Sequence, residues 1–191
     1  MKPSELTRDN IVDFIGDIIG RRGKESYLGE TVTMEQHMLQ AAWQAEQDDA
    51  SDAEIVGALL HDIGHYTNEF GDDYIDQRID NHHESAGARV LAPFFDPSIV
   101  QMVALHVKAK RYLCATNPEY TRELSDASIK TLELQGGPMN EKEIRSFERH
   151  KAYKSAVKVR HYDDLAKEPD IKTPPLDHYL QIVQRVLDST D

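Results

Sequence analysis

The run Ala58-Leu59-Leu60-His61-Asp62-Ile63-Gly64-His65-Tyr66 holds residue types from which a metal centre can be built. His61 and Asp62 adjoin at the end of an apolar helical stretch whose Ile55, Val56, Leu59 and Leu60 side faces a core. An imidazole and a carboxylate can there face one metal ion or span two. A lone His-Asp pair is common and carries no chemistry by itself, so the case depends on partners. His37, His83, His106 and Asp163 supply them, completing a series of four histidines and two aspartates. Such a set suits two metals, and mixed nitrogen and oxygen ligation with room for outside ligands fits iron or manganese better than a closed structural zinc site. Spacing alone leaves His82 competing with His83 and Asp164 with Asp163. His150, His161 and His178 read as exposed or capping side chains.

These residues need helices to position them. Ile11, Phe14, Ile15, Ile18 and Ile19 recur at helical spacing, predicting a first helix from about Glu5 to Arg21 that Gly20 and Gly23 stop. Residues 24–32 form a connector. Thr33 with Gln36, and Ser51 with Glu54, have capping-box spacing; the first opens a helix to about Glu46 with His37 in its first turn, and the second opens the helix that delivers His61 and Asp62. From Tyr66 to Asn81 the chain is polar and acidic and reads as an exposed loop, a candidate lid. His82-His83-Glu84 opens a helix to about Leu91, and Asp96-Pro97 caps the next, expected to end near His106. Asn140 caps an acidic helix, and Thr173-Pro174-Pro175 precedes a C-terminal helix with Leu176, Tyr179, Ile182, Val183 and Val186 on one face. No segment sustains a period of two. The expected fold is all-α, a helical bundle in one domain over residues 1–191.

Composition narrows the function classes. With 191 residues, 39% hydrophobic and 29% charged, the chain can bury one sizeable core. A net charge of −12, from 22 Lys and Arg against 34 Asp and Glu, argues against a nucleic-acid surface, which is driven by clustered cations. A small anion can still enter a local basic pocket. The single cysteine, Cys114, excludes an internal disulfide, no secretory signal precedes the fold, and the apolar segment Ile11–Ile19 is too short to span a bilayer. A cytoplasmic protein with no membrane partner is expected.

Seven segments carry a specific likeness: Tyr27-Leu-Gly-Glu30, Ala58–Tyr66, His83-Glu-Ser-Ala-Gly87, His106-Val-Lys-Ala-Lys-Arg-Tyr-Leu113, Leu124-Ser-Asp-Ala-Ser-Ile-Lys-Thr131, Gln135-Gly-Gly-Pro-Met139 and Arg160-His-Tyr-Asp163. Through them the chain resembles, from Tyr27 to Tyr179, the HD-domain superfamily. The closest likeness is to its mixed-valent di-iron oxygenases, the branch that cleaves organophosphonate C–P bonds and is related to myo-inositol oxygenase. The resemblance implies that His37, His61, Asp62 and Asp163 hold one iron, while His83, His106 and the same Asp62 hold the other. The pair would be Fe(II)/Fe(III), with O2 as co-substrate. It selects His83 over His82 and Asp163 over Asp164. It also implies that Lys110, Ser128, Thr131, Arg160 and His65 surround the phosphonate, that Tyr27 occupies an iron before substrate arrives, and that Glu30 faces the substrate's cationic nitrogen.

Without the likeness, Lys110 and Arg160 read as solvated charges, and Tyr27 and Glu30 as a packed loop aromatic beside a solvated acid. Within the branch the chain is most similar to members whose substrate, a 1-hydroxy-2-(trimethylamino)ethylphosphonate, gives glycine betaine and phosphate. Tyr27, Glu30, Tyr66 and Tyr162 are then candidates to meet the quaternary ammonium. A separate phosphonate hydroxylase acting upstream is an implied partner. The competing expectations are 2-amino-1-hydroxyethylphosphonate as substrate with glycine as product, a metal-dependent HD phosphohydrolase, or a non-catalytic metal-binding module.

Overall fold

The computed structural model describes residues 5–27, 30–67 and 82–189. Helices account for nearly all of the regular structure among them, in the order α1 (Ile11–Arg22), α2 (Met34–Gln47), α3 (Asp52–Leu60), α4 (Gly64–Thr67), α5 (His83–Leu91), α6 (Pro97–Thr116), α7 (Pro118–Glu123), α8 (Asp126–Leu134), α9 (Glu141–Glu148), α10 (Tyr153–Leu165) and α11 (Leu176–Asp188). The all-α expectation holds: the described residues form no strand, and their one extended pairing is an isolated bridge between Ser26 and Thr33.

Local sequence signals set most of the boundaries. Thr33 and Ser51 close complete capping boxes with Gln36 and Glu54, and Asn140 does so with Glu143. Asp96 accepts from Ser98 N at 2.8 Å ahead of Pro97. Two expectations need correction. The first helix begins at Ile11 rather than Glu5, because Asn10 closes a turn over the preceding residues, accepting from Thr7 N and donating to Glu5 O. Helix α6 does not end near His106; it runs ten residues further, to Thr116, and carries Lys110 on the same buried side. Of the candidate lid from Tyr66 to Asn81, Tyr66 and Thr67 belong to α4, and residues 68–81 lie outside the described residues.

The core forms where α10 lies against α6 and α2, α2 against α3, and α5 against α4 and α6, with α11 packed across α3. Buried Ile15, Met38, Leu59, Ile63, Ile99, Val103, Val159 and Val183 fill the space between them. Gly64 makes the tightest of these approaches. A Cβ built there would lie 1.8 Å from the His83 carbonyl oxygen and 2.7 Å from Gly87 N. Only a glycine lets α4 and α5 come this close, and that closeness brings His83 against Asp62.

Candidate active site

Five helices converge on Asp62, which follows the last turn of α3. His37 comes from the first turn of α2, His61 from the C-cap of α3, His83 from the first residue of α5, His106 from the middle of α6 and Asp163 from α10. Their ligand atoms form two groups that share the Asp62 carboxylate. Asp62 Oδ2 lies 3.5 Å from His37 Nε2 and 3.4 Å from His61 Nε2, while Oδ1 lies 3.2 Å from His83 Nε2 and 3.4 Å from His106 Nε2. Asp163 Oδ1 joins the first group at 3.4 Å from His37 Nε2 and 3.8 Å from His61 Nε2. All six side chains are buried. His83 is oriented inward with 7% of its side chain exposed, whereas its neighbour His82, at positive φ, is oriented outward with 67% exposed.

The ring hydrogens show what this arrangement suits. His37 Nδ1 donates to Ala166 O at 2.9 Å, His61 Nδ1 to Ala58 O at 2.7 Å and His106 Nδ1 to Val103 O at 2.8 Å. Each bond puts the hydrogen on Nδ1 and leaves an Nε2 lone pair facing the centre. His37 and His61 then bring two Nε2 atoms within 3.0 Å of each other, and so do His83 and His106. Two bare lone pairs at that distance, as between His37 and His61, repel unless a cation lies between them. Asp163 Oδ1, buried without a hydrogen-bond partner among the described residues, faces the same point. The donor set therefore fits two metal ions, one per histidine pair, bridged by Asp62.

The titration behaviour agrees. Burial works against a charge on His61, yet the carboxylates of Asp62 and Asp163 outweigh it and hold the imidazole up at about 9, the same pull that favours a cation at this point. Burial works against ionised Asp62 and Asp163 too, but the facing imidazoles, with Arg160 beside Asp163, hold both well below the ordinary carboxylate range. His83 goes the other way: burial and the neighbouring His65 push it down to about 3, keeping its lone pair available.

A pocket opens onto this centre, and most of the sequence-predicted site residues line it: Tyr27, Glu30, His65, Lys110, Ser128, Thr131 and Arg160. The Ser26–Thr33 bridge returns Tyr27 onto the first turn of α2, where its ring stacks on His37 with centroids 3.7 Å apart and planes 13° from parallel. Glu30 Oε1 is buried and has no hydrogen-bond partner among the described residues. His65 stacks on His83 at 4.2 Å. Lys110 is 3% exposed and donates to Thr131 Oγ1 at 2.8 Å; burial, then the nearby Arg160 guanidinium, bring its ammonium down to about 7. Tyr66 and Tyr162 do not line the cavity. The Tyr66 ring lies under the Arg22 guanidinium at 5.2 Å, and Tyr162 donates to Asp48 at 2.7 Å, so neither is placed to meet a ligand there.

Several residues of the site were not singled out by sequence. Arg160 is held as much by Asp164 as by Asp163: Nη1 donates to Asp163 Oδ2 at 2.6 Å, Nε to Tyr120 Oη at 2.8 Å and Asp164 Oδ2 at 3.1 Å, and Nη2 to Asp164 Oδ1. Burial opposes the Arg160 charge, but the two carboxylates raise it well above its ordinary value. Gln135 also lines the cavity, with Oε1 buried and unbonded among the described residues. His150, His161 and His178 stay outside: His150 Nδ1 accepts from Ala152 N, His161 is exposed, and His178 pairs with Glu46 at 2.8 Å.

A family model described as the HD domain matches residues 31–186. The chain belongs to the HD-domain family. It is 53% identical, over 97% of its length and 94% of the relative's, to the [1-hydroxy-2-(trimethylamino)ethyl]phosphonate dioxygenase (glycine-betaine-forming) of Leisingera caerulea. It is 41% identical, over 86% of its length and 82% of the relative's, to the hydroxymethylphosphonate dioxygenase of Gimesia maris. An uncharacterized protein of Acanthamoeba polyphaga mimivirus is 36% identical over 90% of the chain and 80% of its own length. The HD motif that gives the family its name is His61-Asp62 here, the adjacent pair at the meeting point of the two metal groups.

Proposed function

We propose that this HD-domain protein is a dioxygenase that cleaves the C–P bond of 1-hydroxy-2-(trimethylamino)ethylphosphonate, releasing glycine betaine and phosphate. The observation that carries the reading is one cavity in which a carboxylate bridging two histidine pairs meets two buried cations, Lys110 and Arg160, and a buried unbonded carboxylate oxygen on Glu30. A zwitterion with a dianionic phosphonate and a cationic nitrogen suits those charges. A relative sharing 53% of residues has this activity in its name.

The metals are iron in this reading, held by His37, His61, Asp62 and Asp163 on one side and by Asp62, His83 and His106 on the other. When bound, they supply the activation of dioxygen and the Lewis acidity that polarises the C1 hydroxyl and a phosphonate oxygen. The chain's own residues bind and orient. Lys110, Arg160 and Ser128 take the phosphonate oxygens, Thr131 holds Lys110, and Glu30 and Tyr27 face the nitrogen. His65, stacked on His83, completes the wall beside Asp62. The reaction balances with one O2, whose two oxygen atoms both leave in the carboxylate and the phosphate, so no net reductant is consumed. The C1 hydroxyl must be installed beforehand, which calls for a separate phosphonate hydroxylase as the preceding step.

The test is protein loaded with iron under anaerobic conditions and given the hydroxyphosphonate. Phosphate is expected to appear in one-to-one proportion with O2 admitted, and not before. A hydrolase built on the same ligands uses water and would release phosphate without O2, which would overturn the oxygenase reading.

Lys110 gives this reading a pH signature. The ammonium binds the phosphonate only while protonated, and in the free protein it loses its proton as pH rises through about 7. The kcat/KM is therefore expected to be full below that value and to fall by roughly tenfold per unit above it. In Lys110→Arg, charged throughout this range, the falling limb disappears even if overall efficiency drops. An unchanged profile in the arginine variant would assign the limb to another group.

A further inference from the structure

The hydroxyls of Ser128 and Thr131 lie one turn apart on α8, and the hydrogen bonds give them different tasks. Thr131 Oγ1 is 3.0 Å from Ala127 O and 3.1 Å from Ser128 O, so its hydrogen is spent on its own helix while its oxygen accepts from Lys110. A hydroxyl has one hydrogen and two lone pairs. The lone pairs of Ser128 Oγ face Lys167 Nζ at 3.1 Å and Arg160 Nη2 at 3.4 Å. With both accepting from cations, and with no acceptor for its own hydrogen among the described residues, the Ser128 O–H is left to donate into the cavity that Ser128 lines.

We infer that Lys167 is a positioning residue for the anionic group of the substrate, acting through Ser128 rather than by contact. Lys167 does not line the cavity. Its Nζ spans the N-terminus of α8, reaching Ser125 Oγ at 3.4 Å as well as Ser128, with Asp164 Oδ1 at 3.9 Å partly balancing its charge. Ser125 is the N-cap of α8 and accepts from Ser128 N at 3.2 Å, so both serines that Lys167 grips belong to one capped turn. The backbone on either side of Lys167 is fixed by other parts of the site. Ala166 O accepts from the metal-facing His37 ring, and Glu168 exchanges two bonds with buried Gln40, donating from N to Oε1 at 3.1 Å and accepting on O from Nε2 at 2.7 Å. Three consecutive residues beyond α10 thus tie the first histidine pair to the anion-binding turn. A lysine held there fixes the direction of the Ser128 hydrogen and adds a third cation behind the cavity wall, at a distance where an intervening hydroxyl transmits it.

The inference rests on the phosphonate reading, and a double-mutant cycle on the iron-loaded enzyme separates the two. Lys167→Met is expected to lower kcat/KM roughly tenfold, mostly through KM, and Ser128→Ala roughly 10- to 100-fold, with metal content unchanged. The decisive expectation is non-additivity: Lys167→Met adds less than about twofold in the Ser128→Ala background. Lys167→Arg restores most of the loss. A double-variant loss equal to the product of the single losses, or a Lys167→Met enzyme within twofold of wild type, overturns the inference and leaves the substrate reading standing. If wild type turns over no hydroxyphosphonate, the substrate reading falls. Calorimetric titration of methylphosphonate then decides the role of Lys167: a Kd weakened by Lys167→Met only when Ser128 is present supports it, and an equal Kd overturns it.

Discussion

Asp62→Ala is expected to lose both metals and all measurable turnover, while a single deletion such as His83→Ala is expected to lose mainly the metal on its own side. The asymmetry follows from geometry. Each Asp62 oxygen faces a different histidine pair, and no other carboxylate among the described residues lies within reach of both. Without Asp62 the first group retains Asp163, but the second retains only the imidazoles of His83 and His106. Two multivalent cations would then sit close together with no carboxylate between them, and repulsion in a buried site is strong. The expected loss in activity is on the order of a thousandfold or more, typical of groups that act as a unit. Asp62→Asn sharpens the test because it keeps size and one oxygen but no charge, and it is expected to retain at most one metal. Metal content by mass spectrometry alongside circular dichroism separates loss of metal from loss of fold. Two metals at wild-type occupancy in Asp62→Ala would disprove the bridge.

The parts of the site that could be read from sequence are those written in local code. Capping boxes at Thr33 and Ser51 located the helices carrying His37 and His61, because a cap needs only residues three apart. The end of α6 could not be read in the same way. Lys108, Lys110 and Arg111 follow His106 as a run that reads as solvated charge, yet Lys110 is buried and bonded to Thr131, twenty-one residues away. Asp163 and Asp164 stand at i+3 and i+4 from Arg160, and both face it on a helix, so sequence posed a choice where the structure uses both: one toward the metals, the other, with Tyr120, as the clamp that holds the guanidinium. Lys167 gave no sequence signal. It lies past the end of α10 in a polar segment, and only the packing of that segment against α2 and α8 gives it a role.

The trimethylammonium compound is expected to be turned over with about 30- to 1000-fold greater efficiency than its unmethylated ammonium analogue. A primary ammonium brings three N–H donors that each need an acceptor, and a site that takes three methyls would leave some of them unpaired and be underfilled. The two deficits together cost about 2–4 kcal/mol. The structure limits what can meet the cation. One face of Tyr27 is covered by His37, Tyr66 and Tyr162 do not line the cavity, and Glu30 brings a buried carboxylate oxygen with no competing donor among the described residues. A quaternary nitrogen cannot donate a hydrogen bond, so the attraction is between charges across the methyl groups, with the remaining surface of Tyr27 contributing where it faces the cation. Glu30→Gln removes the compensating charge at nearly constant volume. It is expected to lower kcat/KM for the trimethylammonium substrate by roughly 10- to 100-fold, and metal content should stay at the wild-type level because Glu30 belongs to neither ligand group. The same variant should lose less on hydroxymethylphosphonate, which has no cationic nitrogen for Glu30 to balance. Equal efficiencies on the two amines, by phosphate release at matched O2, would remove the trimethylammonium assignment and leave C–P cleavage by an oxygenase intact. An equal Glu30→Gln loss on the amine-free phosphonate would show that Glu30 supports the fold of the cavity rather than the charge of the substrate.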